Sequence, residues 1–316
     1  MQVHQANLVT QREIFHEGEC ELQAHAGSRE HLAEIGDQLI RDYMPDQHRR
    51  FFQQLPFVVI GSVNTDGQPI ASILANQSGF MTSTDARHLM VNTLPSDQDM
   101  LTHHLKLGAA IALLGIEPHT RRRNRMNGFV QKLTDRSFTI EVQHSFGNCP
   151  KYIQPRQAIF APKTHDIEVS LSNALTSLSR QIISHADTFF IASAHPNAHK
   201  DRRAAHGVDI SHRGGKIGFV SIADDQTLIV PDYTGNRFFN TLGNLMLNPK
   251  VSLLFIDVKN SDILRINATA EVIVDNSPSI HMEISNYIGA ERLLKLTIST
   301  IEYIKNGLAL RWSDFT

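Results

Sequence analysis

The chain has 316 residues, 41% hydrophobic and 20% charged, about twice the usual domain length, so two domains with separate cores are expected. Its 30 Lys and Arg against 32 Asp and Glu leave a formal net charge of -2, which provides no whole-molecule field to gather nucleic acid or an anionic membrane; charge-based function must be local. The two cysteines, Cys20 and Cys149, lack CxxC or finger spacing, which argues against a disulfide framework or structural zinc.

Met1 to Gln5 carry neither a basic nor an apolar targeting region, and the longest apolar stretch, Ala109 to Leu114, is too short to cross a bilayer. A cytoplasmic protein without membrane association is expected. Ser28 can cap a helix with the apolar face Leu32, Ile35, Leu39 and Tyr43, and residues 1–45 read as a helical extension. Phe51, Phe52 and Leu55 end a shorter helical run after Pro45, and Pro56 to Ser62 opens a strand. Asn64-Thr65-Asp66-Gly67 is a turn signal between strands. Ser96 with Asp99 predicts a capped helix over Met100 to Leu107. Residues 155–170, with Pro155 and Pro162, read as a linker between a first domain at 46–154 and a second at 171–316. In the second, Leu171, Leu175, Leu178 and Ile182 recur at helical spacing before a strand at Thr188 to Ser193. The loop His195 to His206 is rich in histidine but lacks metal-site spacing, and no metal is expected. Asn236 to Leu247 reads as a helix, and Ile280, Ile284, Ile288, Leu294, Ile298 and Ile301 suggest another, stopped by Gly307.

Several of these features repeat in order at an offset of about 139 residues, and such periods fix architecture. Pro56 to Ser62 answers Thr188 to Ser193, Gly79-Phe80 answers Gly218-Phe219, and Leu89-Met90-Val91 answers Leu228-Ile229-Val230. Ile111 to Ile116 answers Val251 to Ile256, and Arg125-Met126-Asn127-Gly128 answers Arg265-Ile266-Asn267-Ala268. Each unit is a helix followed by short strands with turn signals, which indicates a mainly β protein of antiparallel hairpins closing into barrels.

Ser211-His212-Arg213-Gly214-Gly215, Pro231 to Arg237, Asn248-Pro249 and Arg265 to Ala270 together resemble the pyridoxamine 5'-phosphate oxidase-like family. The first half resembles the companion barrel of tandem members through His119 to Gly128 and Phe146 to Ile153. The resemblance implies two tandem split barrels with flavin mononucleotide (FMN) in the groove between them, and further pairing as a homodimer. One departure is Ala268, where the family pattern has glycine and a Cβ could crowd the cofactor.

FMN requires its phosphate neutralised, its ribityl chain hydrogen-bonded and an apolar slot for its ring. Arg213 offers a guanidinium fork between Ser211 and the permissive Gly214. Gly235, Asn236 and Arg237, beside Asp232 in the same loop, stand at the mouth of a helix, with Asn240 one turn in. The alternative for each is a surface turn with a solvated arginine. In Arg121 to Arg125, alternation separates Arg121, Arg123 and Arg125 from Arg122; anion binding by Arg121 and Arg123 competes with a solvated hairpin rim. Cys149 beside Lys151 reads as a packed residue or a redox thiol, and Trp312, the sole tryptophan, as a cover for the flavin ring or packing for the chain end.

These residues point to an FMN-dependent oxidoreductase that uses flavin N5 as hydride acceptor on an unidentified small substrate, with NAD(P)H or a separate reductase as electron partner. No side chain is assigned a catalytic role. The second reading is a non-catalytic flavin- or haem-binding carrier or sensor.

Overall fold

In the computed structural model, residues 13–163, 165–274, 284 and 287–314 are described. Three helices lead the chain, α1 Glu17–His25, α2 Arg29–Leu39 and α3 Asp46–Gln54. The first half then runs β1 Phe57–Val63, β2 Pro69–Ala75, β3 Met81–Asp85, β4 His88–Val91, β5 Ala110–Glu117, β6 Arg122–Leu133 and β7 Phe138–Gly147. Two strands follow, β8 Arg156–Phe160 and β9 Glu168–Ser172. The second half comprises α4 Ser177–His185, β10 Thr188–Ala194, β11 Val208–Gly214, β12 Ser221–Ile222, β13 Thr227–Tyr233, α5 Asn240–Leu247, β14 Lys250–Asp257, β15 Asp262–Val274, β16 Ala290–Lys305 and β17 Leu310–Asp314.

The two large sheets have the same strand order, β2-β1-β5-β6-β7-β4-β3 and β11-β10-β14-β15-β16-β13-β12, all antiparallel, with β9 added beside β16, while β8 and β17 pair in a small third sheet. The sequence repeat is therefore a structural one. Phe57 and Thr188, which open β1 and β10, are 131 residues apart, whereas Pro69 and Val208, which open β2 and β11, are 139 apart. The longer second loop absorbs the difference. In the first half, Ile70 and Leu74 from one end of the sheet share a core with Met81 from the other end, so the sheet rolls up around its own interior. Leu228, Val251, Ile266 and Leu296 mark the same interior in the second half. The protein is thus mainly β, built from two split-barrel units.

Strand alternation joins the units. Val58 and Ile60 of β1 point into the first barrel, while Phe57, Val59 and Val63 point out and meet Phe190, Ala192 and Ala194 of β10 in a third, shared core. All seven residues of β1 are buried for this reason. Small residues let the backbones approach: a Cβ on Gly61 would lie 3.1 Å from Ile210 Cβ.

The structure corrects several predicted elements. The helix expected over Met100 to Leu107 is only a 3-10 turn, Met100–His103. Asp99 caps it through Leu101 N at 2.8 Å but also pairs with Arg265 of the other half, which ties down the turn. The helix expected from Asn236 begins at Asn240, because Arg237 and Phe239 take φ of 60° and 63°, outside the helical region. Ser28 precedes α2 without capping it through its side chain. Leu171 belongs to β9 rather than to α4.

The C-terminal helix expected through Leu294, Ile298 and Ile301 is the long strand β16; Ile280 lies outside the described residues. Leu294, Leu296 and Ile298 alternate inward with exposed Lys295 and Thr297. A register shift at Asn267/Ala268 then turns Ile301 inward as well, producing a spacing that imitates a helix. Ala268 packs in the second core, so its Cβ meets side chains there rather than a ligand.

Candidate functional site

Where the halves meet, β6, β11, β13, β16 and α5 enclose a cavity of about 120 Å³. Arg123 and Arg125 reach it from β6, Arg213 from β11, Arg237 from the loop before α5, and Arg292 from β16. Five cations face one small space, and their order must be maintained by neighbouring acceptors.

Alternation along β6 turns Arg123 and Arg125 inward. Arg122 instead stacks over Phe51, 4.8 Å from the ring centroid, and Arg121 lies before the strand in a left-handed turn with φ 56°. Arg123 donates Nε to Cys149 O at 2.7 Å, and its Nη1 lies 3.0 Å from His212 Nδ1. Burial and the neighbouring Arg125 push Arg123 down to about 10, still leaving it charged near neutrality. Burial, followed by Arg123 and Arg213, holds His212 well below its ordinary value. The imidazole is therefore neutral, and accepting the Arg123 proton at Nδ1 puts its own proton on Nε2.

Arg125 is fully enclosed. It donates Nη2 to Ser211 Oγ at 2.7 Å and Nη1 to Asn240 Oδ1 at 3.0 Å, and it pairs with Asp209. Thr241 donates to Asp209 at 3.0 Å, completing a bridge from the first barrel to β11 and α5. Asp232 is clamped between Arg213 and Arg292, whose Nε lies 2.9 Å from it. The Arg292 guanidinium also lies over Phe239, 4.9 Å from the ring centroid. The buried Arg213 Nε has no hydrogen-bond partner among the described residues.

The loop at Gly235 to Phe239 holds two left-handed non-glycine residues, and α1 supports it from behind. Gln23 donates to Phe238 O at 3.2 Å, and Phe15 packs on Phe238 with ring centroids 5.8 Å apart. Asn240 Nδ2 donates to Glu19 Oε1, while Glu19 Oε2 accepts from His16 N at 3.0 Å. Burial pushes the Glu19 carboxyl up to about 8. Helices α1 and α5 touch backbone to backbone, since a Cβ on Gly18 would lie 2.3 Å from Gly243 O.

Eight of the candidate cofactor-binding residues line this cavity, Arg123, Ser211, Arg213, Asp232, Gly235, Asn236, Arg237 and Asn240, and Cys149 lines it as well. Ser211 to Gly214 form the end of strand β11, not a turn. Gly214 borders an adjoining cavity of about 80 Å³, and its own Cβ would lie 2.2 Å from Tyr152 O, so the glycine serves packing. Arg121 and Trp312 are not brought to the arginine cavity. Trp312 stands against Phe57, ring centroids 5.5 Å apart, and lines a separate apolar cavity of about 200 Å³ with Ile153, Phe190 and His212. His212 borders both spaces.

Sequence reasoning missed Arg292, Glu19 and His212 as site residues. Arg292 was hidden by the helical reading of β16, and Glu19 lay in a segment read as an extension. The only signal for Glu19 was its place three residues after His16, with which it forms a capping box.

The donor atoms of His16, Glu17 and His195 lie within 4.8 Å of one another. Both imidazoles accept a backbone N–H at Nδ1, from Gly18 at 3.2 Å and from Asn197 at 3.1 Å. That places their protons on Nε2, the nitrogens a metal would need bare. The loop carrying His195 is packed in place: His195 and His206 stack with centroids 4.0 Å apart, and His206 pairs with Asp201 at 2.8 Å. Among the described residues, no helix is long and apolar enough to cross a membrane.

Residues 44–163 and 175–305 each match the family model described as Pyridoxamine 5'-phosphate oxidase. No curated protein matches the chain. Similar solved structures include HupZ of Group A Streptococcus, 14% identical, TM-score 0.30, covering 40% of this chain and 90% of that one. An FMN-binding protein of Syntrophomonas wolfei is 13% identical, TM-score 0.27, over 38% of this chain and 80% of that one. HutZ, the haem storage protein of Vibrio cholerae, is 13% identical, TM-score 0.28, over 40% of this chain and 91% of that one.

Proposed function

This chain belongs to the pyridoxamine 5'-phosphate oxidase family, and on that premise we propose that it binds FMN between its barrels and works as an oxidoreductase on a small substrate. The observation that carries the proposal is the convergence of Arg123, Arg213, Arg237 and Arg292 on one cavity. Among the described residues the guanidinium groups lining the cavity outnumber its one carboxylate, Asp232, which suits a dianionic phosphate. A Cβ on Gly235 would meet nothing within 4 Å, which leaves the loop backbone open to a ligand. The apolar cavity across His212 has the character that a planar ring requires.

Bound flavin would supply hydride chemistry that no side chain here can perform. The chain's own contribution is to neutralise the phosphate, hold the barrels in register through Arg125, and exclude water with the shared core. Asp232 is committed to two arginines and His212 is held neutral, so neither is set up to exchange protons with a substrate. That arrangement also suits the second reading, a carrier that holds the cofactor without turnover.

Absorbance of freshly purified protein, with mass spectrometry of what heat releases, tests the proposal. A flavin spectrum is expected, and bleaching by NADH or NADPH separates oxidoreductase from carrier. Arg213→Ala should weaken FMN binding 10- to 150-fold or so, the loss of one charge-assisted contact. A colourless protein that takes up no added FMN would refute the assignment.

A further inference from the structure

Two similar barrels packed face to face create their seam twice, once on each side of a pseudo-two-fold axis. The strand registers match the two sides residue by residue. Arg125 lies opposite Leu114, itself opposite Val59; Arg265 lies opposite Leu254, itself opposite Phe190. Ser72 opposes Ile60 as Ser211 opposes Ile191, and Leu74 opposes Val58 as Arg213 opposes Phe189.

One element of the seam is kept on both sides. Arg125 of the first barrel reaches across to Ser211 and Asn240, and Arg265 of the second reaches back to Ala71 O at 2.8 Å and Asp99 at 3.1 Å. These arginines are reciprocal latches between the barrels. Two of the arginines that make the first seam an anion cavity are replaced on the other side. Leu74 stands at the equivalent of Arg213 and Ile263 at that of Arg123, while Ile70 replaces Asp209, the counter-ion of Arg125; each is less than a tenth exposed. Arg265 is neutralised twice over, by Asp99 and Glu302, and Ser72 donates to Asp99 at 2.8 Å. A phosphate entering there would meet two carboxylates and an apolar wall instead of a cluster of guanidinium groups in excess over carboxylates.

We infer that each chain holds one phosphorylated cofactor, at the cavity of Arg123, Arg213, Arg237 and Arg292, and that the pseudo-equivalent seam is a permanently closed latch. Asp99 and Glu302 act there as built-in counter-ions of Arg265. The inference rests on the FMN reading of the first seam and adds its stoichiometry and location. The repeat has thus diverged into one binding side and one structural side.

The test is titration of the cofactor-free full chain with FMN at a protein concentration well above the dissociation constant, followed by flavin fluorescence. Quenching should break at one equivalent per chain, and Arg213→Ala should shift that single transition at least tenfold to weaker binding. Leu74→Ala, on the closed side, should leave both the break point and the affinity within twofold of the parent. A break at two equivalents, or one equivalent bound by Arg213→Ala with parental affinity, overturns this inference while leaving FMN binding intact. Absence of saturable uptake overturns the functional reading and this inference together.

Discussion

Glu19 should make the stability of the protein fall as the medium becomes alkaline, and Glu19→Gln should remove that slope. Its carboxyl is enclosed between α1 and α5 and is raised from 4.5 to about 8 by burial. A raised folded value means that the folded state holds a proton the unfolded chain has already released, so the contribution of Glu19 is fully present below about 4.5 and is lost as pH rises through about 8. Between pH 6 and pH 9 the folded carboxyl gives up its proton while the unfolded one is ionised throughout, which at roughly 1.4 kcal/mol per pH unit over about two effective units amounts to about 3 kcal/mol. The glutamine variant sets its own baseline, because its amide leaves His16 N or Asn240 Nδ2 facing a donor, but that offset does not vary with pH. Other titrating groups are common to both proteins and cancel in the difference. Urea unfolding of both proteins at pH 6 and pH 9 supplies the measurement. Parallel losses in the two would show that Glu19 does not carry a proton in the folded state, and the account of α1 as a proton-bearing support for Asn240 would fail.

The glycine at the contact of α1 with α5 gives a second expectation. Gly18→Ala forces a Cβ to within 2.3 Å of Gly243 O; overpacking of about 1–3 kcal/mol should displace α1 and weaken FMN binding, read by flavin fluorescence. Gly128→Ala drives a Cβ to 2.0 Å from Glu141 O in the bulged β6–β7 pair and should destabilise at least as much, whereas Ala268→Gly should lose only about 1 kcal/mol, both by chemical denaturation. Arg265→Ala leaves Asp99 and Glu302 without their cation and should lower stability by about 3–5 kcal/mol. Combining Arg265→Met with Asp99→Asn and Glu302→Leu should recover part of that loss in the same assay, since no buried charge is then left unpaired and the asparagine still accepts from Leu101 N.

Amino-acid order alone determined the repeat, the antiparallel β character and the arginine-bearing segments, because each is local: alternation along a strand, a turn motif, a run of like residues. It determined that Arg122 must part from Arg123 and Arg125, since a strand sends neighbours to opposite faces. It did not separate β16 from a helix, because one bulge gave Leu294, Ile298 and Ile301 a helical spacing that pairing with β15 alone resolves. Tertiary structure decided which arginines meet. Arg123 and Arg292 are brought to one cavity by strands of different barrels, and Glu19 reaches Asn240 across 221 positions of chain. It also decided that Arg125 and Arg265, alike in motif, serve unlike sides. Asp209 stands on Arg125's side, where four further arginines remain open to the cavity, while Asp99 and Glu302 close on Arg265. Which carboxylates reach a buried guanidinium depends on packing between distant segments, and local pattern carries no record of it.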